Sequence, residues 1–220
     1  IPRTCVQEVS IVYPPCGLES GVMYTATDAE GNVYNTVRIG CDCWLAENLR
    51  STLYSDSSCG IAGTPISVAL AYYAALYPDS VSNLQTYGRL YSWYSAVGLP
   101  EGSASSPCLS SAGNIPGACP AGWYLPSISD YQQLYNHYGL SDLMSTSGWL
   151  YSNGTNGTGF NALPGGYFNG ESGEFFNLIG NAYFWSSDIT TVLEALNCEM
   201  TYSCPDALFN SNNRNNGYSI

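Results

Sequence analysis

Few residues in this 220-residue chain could do chemistry outside its nine cysteines, at Cys5, Cys16, Cys41, Cys43, Cys59, Cys108, Cys119, Cys198 and Cys204. Their spacing does not form the paired CxxC knuckles of a zinc site, and a single histidine, His137, cannot supply the usual nitrogen ligands. The same shortage leaves a serine or cysteine nucleophile without its customary base, and His137 falls beside tyrosines on a predicted helix, where a structural role is expected. Glu171 and Glu174 have the carboxylate pairing of glycoside hydrolysis, but they lie in the polar turn NGESGEF, which reads as a solvated hairpin. The DAEGN segment (28–32) resembles half a calcium loop without the distal glutamate that completes one. No glycine-rich phosphate loop follows a strand and opens a helix. Neither a metal nor an organic cofactor is expected, and neither is an enzymatic activity.

Cysteine usage of this density points to disulfides in an oxidising, extracytoplasmic setting. Short loops favour Cys198 with Cys204, Cys108 with Cys119 and Cys5 with Cys16, without fixing the connectivity. Cys41 and Cys43 flank one residue and point to the same side of a strand, so each is expected to pair elsewhere, Cys59 being a candidate for one of them. A thiolate at Cys198 or Cys204 is disfavoured by Glu199 and Asp206 nearby. An odd count leaves one sulfur without a partner in the chain.

Composition excludes several partners. Five basic residues, all arginine, stand against 17 acidic ones, a net charge of −12. Phosphate backbones and anionic lipids require clustered cations, and no two of these arginines adjoin, so neither nucleic acid nor a membrane surface is expected. No apolar run approaches the 18 or so residues of a bilayer span. The longest, VALAYYAALY (68–77), ends at Pro78. The start IPRTCVQEVSIVYPPC lacks the basic and apolar regions of a signal peptide, as a mature secreted chain would. With 45% apolar and only 10% charged residues, the chain is expected to form one globular core.

The elements that must hold these residues follow from periodicity. SISDYQQLYNHYG (127–139) predicts a helix capped by Ser127 or Ser129, with Tyr131, Leu134, Tyr135 and Tyr138 on one face and Gly139 at its end. A second helix is predicted from Leu90 to Val97. VMYTA (22–26) and NVYNTVRIG (32–40) alternate as strands joined by the DAEGN turn, a hairpin. Many short strands with about two helices and long loops make an α+β domain at 21–220. Upstream, residues 1–20 form an extended arm in which Val9, Ile11 and Tyr13 alternate with Glu8, Ser10 and Val12 until Pro14 and Pro15 end the pattern. Such an arm either packs on its own domain or adds to the sheet edge of a neighbouring copy, a head-to-tail contact that propagates into a filament unless it closes.

Five blocks, GNVYNTVRIG (31–40), CWLAENL (43–49), YGRLYSWYSA (87–96), CPAGWYLPS (119–127) and GFNALPGGYF (159–168), followed by FWSS (184–187), resemble the Fibrobacter succinogenes major paralogous domain. This is a family of secreted and cell-surface bacterial modules. The resemblance implies a C-type-lectin-like fold related to formylglycine-generating enzymes, with small twisted antiparallel sheets and long disulfide-stapled loops. It also implies an arginine and a cysteine after a segment like NGYSI (216–220). If the chain is trimmed there, Cys119 is the residue expected to lose its partner.

Two activities of that fold do not carry over. The Glu-Pro-Asn or Gln-Pro-Asp and Trp-Asn-Asp signatures of calcium lectins are missing, the nearest segment being Trp185-Ser186-Ser187-Asp188. Cys198 and Cys204 are one residue further apart than the reactive pair of the oxidases. The expected function is therefore a non-enzymatic structural or adhesion module of a bacterial cell surface. It would assemble with copies of itself or bind surface glycans and proteins. A carbohydrate-binding module is the alternative, stacking sugars on Tyr72, Tyr73, Trp93, Trp149 or Tyr151, and an oxidase a remote one. Asn153 and Asn156 begin N-glycosylation patterns, and Asp79-Ser80-Val81 resembles the O-glycosylation motif of secreted Bacteroidetes proteins, making Ser80 a further candidate.

Overall fold

The computed structural model describes residues 17–19, 22–57, 59–66, 80–110, 113–151 and 154–220. The arm residues Val9, Ile11, Tyr13, Cys5 and Cys16 lie outside these, as do Tyr72, Tyr73 and Asn153. Strand alternation near the start produces a meander of β1 (Gly17–Glu19), β2 (Val22–Thr27), β3 (Val33–Ile39) and β4 (Asp42–Leu45), hydrogen-bonded in that order and antiparallel throughout. The predicted hairpin is present, with Thr27 opposite Val33. Its turn is fixed by Asp28. Oδ1 accepts from the main-chain N–H groups of Glu30 and Asn32, both at 2.9 Å, and Oδ2 from the Asn32 amide at 2.8 Å and the Tyr34 hydroxyl at 2.7 Å. All four lone-pair directions of the carboxylate are thereby used.

Four short helices are described: α1 (Ser80–Tyr87), α2 (Trp93–Val97), α3 (Ile128–Tyr138) and α4 (Leu140–Leu143). α3 is the helix the periodicity predicts. Ser127 and Asp130 form a reciprocal capping box, Tyr131 and Leu134 are buried, and the Gly139 N–H closes the last turn onto Tyr135 O. α2 is shorter than the predicted 90–97 because Ser92 caps it, accepting from Ser95 N–H. Leu90 and Tyr91 stay extended, and Tyr91 instead bridges to Tyr218.

The second half contributes a hairpin, β5 (Tyr167–Asn169) with β6 (Glu174–Phe176), and a three-stranded antiparallel sheet of β7 (Asn181–Ile189), β8 (Glu194–Thr201) and β9 (Leu208–Asn213) in that order. Side chains of β7 and β8 alternate between the two faces of this sheet and so feed two cores. Tyr183, Trp185 and Ala195 join Trp93, Tyr91, Tyr218, Leu49 and Tyr34 on one side. Ala182, Phe184, Cys198 and Met200 join Tyr131, Leu134, Phe160 and Trp149 on the other.

The first core is tightly closed. Trp93 and Trp185 are fully buried, and their indole N–H groups donate to Ser186 O at 2.9 Å and Tyr91 O at 2.8 Å. Gly117, at φ +48°, lies so near α2 that a Cβ there would stand 1.9 Å from Ala96 O. Arg214, 3% exposed, stacks its guanidinium 4.0 Å over Trp93 and 4.4 Å over Tyr94 and donates to Val192 O. The last residues thread between these parts, with Tyr218 bridging to Tyr91, Ser219 to Phe184, and Ile220 O accepting from Leu49 N–H. The architecture is α+β with small antiparallel sheets.

The disulfide pattern corrects the sequence expectation. Cys59 pairs with Cys108, not with Cys41 or Cys43, across Cα atoms 5.8 Å apart. Cys41 and Cys43 are also disulfide-bonded. Cys119, Cys198 and Cys204 are free thiols, so neither the Cys198–Cys204 nor the Cys108–Cys119 pair forms. The reason is placement. Cys198 is a mid-strand residue turned into the second core, opposite Phe209, while Cys204 sits half-exposed in the turn after β8. Cys119 is buried in a turn, its N–H bonded to Pro116 O, whereas Cys108 lies on an exposed loop.

Candidate functional site

Several hollows among the described residues meet at Trp44, on edge strand β4, while another of about 150 Å³ lies apart between Cys59, Cys108 and Gly117. The Trp44 ring leans on Tyr131 (centroids 5.7 Å apart) and edge-on against Phe160 (5.4 Å), which holds it half-buried at the margin of the second core. Three adjoining hollows share that ring. The innermost, about 70 Å³, is walled by Trp44, Cys119, Trp123, Tyr131, Phe184 and Ile220. The middle one, about 100 Å³, is formed by Asp42, Trp44, Trp123, Tyr124, Pro126 and Asp130. The outer cleft, about 380 Å³, lies between the β3–β4 turn (Ile39, Gly40, Cys41, Asp42) and α3, where exposed Gln133, Asn136 and His137 flank buried Leu134, with Asp130, Tyr138 and Trp44 completing it. The innermost hollow is apolar and too small for more than solvent. The outer one falls within the roughly 300–1,000 Å³ of small-ligand sites.

Of the chemistry-bearing residues read from the sequence, His137 and the cysteines Cys41, Cys43 and Cys119 line the hollows at Trp44, and the others do not. The His137 imidazole is exposed in the last turn of α3, edge-on to Tyr138 at 4.5 Å. Glu171 lies on the tip of the β5–β6 hairpin and accepts from the Asn213 amide at 3.3 Å, while Glu174 opens β6. Asp188, the residue nearest a lectin-type ligand, receives the Ile128 N–H at 2.6 Å and so caps α3. Cys198 is fully buried, and burial first, then Glu199, raises its thiol pKa well above the ordinary range. The Cys119 thiol is pushed up to about 12 by burial, with Asp56 adding to it. Neither is poised as a nucleophile.

The aromatic candidates divide. Trp93 and Trp149 are core residues, 0% and 6% exposed, which removes them as sugar platforms. Tyr151 is 77% exposed and edge-on to Tyr202 at 5.0 Å. The Asn156 amide is engaged by Asn161, whose N–H donates to Asn156 Oδ1 at 2.9 Å, and the Thr158 hydroxyl of the same pattern donates to Asp142 O. Ser80 is the first residue of α1. Sequence reasoning missed Trp44, Trp123 and Tyr124 as a group. They stand in two of the quoted blocks, but nothing in either block says that the two meet in space.

Those blocks are largely core. Tyr34, Leu49, Tyr91, Trp93, Leu125, Ala162, Phe184 and Trp185 are all buried, so the pattern they make specifies this packing. The chain matches the family model of the Fibrobacter succinogenes major domain over residues 37–220 and belongs to that family. No curated protein and no solved structure matches it. No described helix is long and apolar enough to cross a membrane.

Proposed function

We propose that this chain is a non-enzymatic structural or adhesion module of a bacterial cell exterior, and that its N-terminal arm joins it to copies of itself. The bonded Cys59, Cys108, Cys41 and Cys43 suit an oxidising compartment. The reading is carried by β9. It is an edge strand whose six residues keep unbroken register with β8, and among the described residues no strand pairs with its outer side. Its sequence, LFNSNN, contains no lysine, proline, charge or bulge, the devices that ordinarily guard an open edge. A six-residue row of main-chain donors and acceptors is a template for strand addition, and the alternating Val9, Ile11 and Tyr13 have the pattern of a strand that would fill it.

Negative-stain electron microscopy of the native-length protein beside one lacking residues 1–16, which leaves β1 in place, at matched concentration, tests this. Filaments that vanish on truncation are expected. Monodisperse particles in both samples would refute assembly by the arm.

A further inference from the structure

Most polar side chains of this protein are consumed by its fold, but those of the outer cleft are not. Asp130 gives Oδ2 to the Ser127 N–H and hydroxyl, leaving Oδ1 over. Gln133 spends Nε2 on Ser129, leaving Oε1. Among the described residues, Asp42 and Asn136 are exposed and carry no side-chain hydrogen bond. We infer that this cleft is a binding site for a neutral glycan. Trp44 and Tyr138 present apolar surface to the C–H face of a sugar ring, and Asp42, Asp130, Gln133 and Asn136 exchange hydrogen bonds with its hydroxyls. The inference does not depend on assembly through the arm.

The wall chemistry selects the ligand. Carboxylates and a carboxamide oxygen accept, the Asn136 amide donates, and hydroxyls do both, so a sugar satisfies the wall where an apolar ligand would strand it desolvated. Phosphorylated, sulfated and uronic glycans are disfavoured, because no lysine or arginine lines the cleft and the chain carries a net charge of −12. The 380 Å³ available suits one or two sugar units of a longer chain passing over the β3–β4 turn.

Affinity electrophoresis of the native-length protein through gels containing β-glucan, xylan or α-mannan, followed by calorimetry with a hexasaccharide of whichever retards it, tests the site. A second arm uses a glycoprotein bearing neutral mannose chains before and after their removal, and so distinguishes a free polysaccharide from a protein-borne glycan. Retardation by at least one neutral glycan is expected. Asp42→Ala and Asn136→Ala, each with a thermal midpoint no lower than that of the unaltered protein, should each weaken binding about tenfold, the loss of one hydrogen bond involving a charged or well-placed group. Should either variant not fold, NMR shift changes on titrating the unaltered protein decide the matter, and they must centre on Asp42, Gln133 and Asn136. No retardation by any of the three polysaccharides or the glycoprotein overturns the proposal. So do retardation indifferent to both substitutions and capture of a lysine-rich peptide in place of glycan.

Discussion

On one side of the β7–β9 sheet, Trp93 and Trp185 are sealed from solvent with both indole N–H groups bonded to main-chain carbonyls. On the other, Trp44 is half-buried and opens on three hollows. The same residue type thus serves two ends within one domain. Where the ring is enclosed, its polar edge must be satisfied and its neighbours must fit closely, as Gly117 does against Ala96. Where it is left at a margin, ring face and surrounding polar atoms remain for something outside the chain. The closed side holds the structure, and the open side is the part free to differ in what it touches.

The comparison breaks most directly if both tryptophans prove equally important to stability. Trp185→Ala removes a fully enclosed side chain and one of the two donors to Tyr91 O, the other being the Tyr218 N–H, and should cost about 4 kcal/mol. Trp44→Ala empties a site already next to cavities and should cost about 2 kcal/mol, half-burial scaling the loss. Urea unfolding with disulfides intact measures both. Equal losses would mean that the cleft is as much a structural core as the opposite face.

A second test asks whether the closed side depends on Asp28, the one buried carboxylate among the described residues. Burial is the largest single influence on Asp28 and raises its pKa, but the hydrogen bonds from Asn32, Tyr34 and Glu30 together outweigh it, so the folded value lies below the ordinary carboxyl value. A depressed folded pKa gives stability that is fully present above the unfolded value of about 3.9 and is lost as pH falls through the folded one. Asp28→Ala should cost about 2 kcal/mol at neutral pH, since Tyr34 OH and the Asn32 N–H lose their acceptor. The difference between the two proteins should narrow as the pH is lowered from 5 toward 3. A difference independent of pH would show that the carboxylate contributes shape and not charge.

The sequence conveyed local elements far better than the meeting of distant segments, for a physical reason. Periodicity located α3 with its cap at Ser127, and alternation located the β2–β3 hairpin, because both patterns are local and imposed by backbone geometry. The blocks that identified the family are those that pack. What could not be read was any juxtaposition of distant segments. Cys59 finds Cys108 across 49 residues, and Cys198 fails to pair with a sulfur only six positions on, because strand β8 turns it inward. Trp93 and Trp149 offered themselves as exposed platforms only because composition does not distinguish a buried ring from a bare one. The DAEGN turn was legible as a turn, but not the bond that ties it to the strand beyond it, where the Tyr34 hydroxyl of β3 donates to Asp28.

The smallest effect sharpens the contrast most. Asn136 sits on the exposed face of α3 without a side-chain hydrogen bond among the described residues. Asparagine is a poorer helix former than alanine by several tenths of a kcal/mol, because its amide competes for the backbone and its rotamers are restricted. If the residue served only the fold, alanine would be the better choice at that position. Asn136→Ala should therefore leave stability unchanged or raise it by about 0.5 kcal/mol, measured as a small upward shift of the urea midpoint at constant slope. A loss of 1 kcal/mol or more would place Asn136 in the structural framework and remove the cleft's claim to be different. A gain in stability means that the chain keeps, at the rim of the outer cleft, a side chain the helix would do better without.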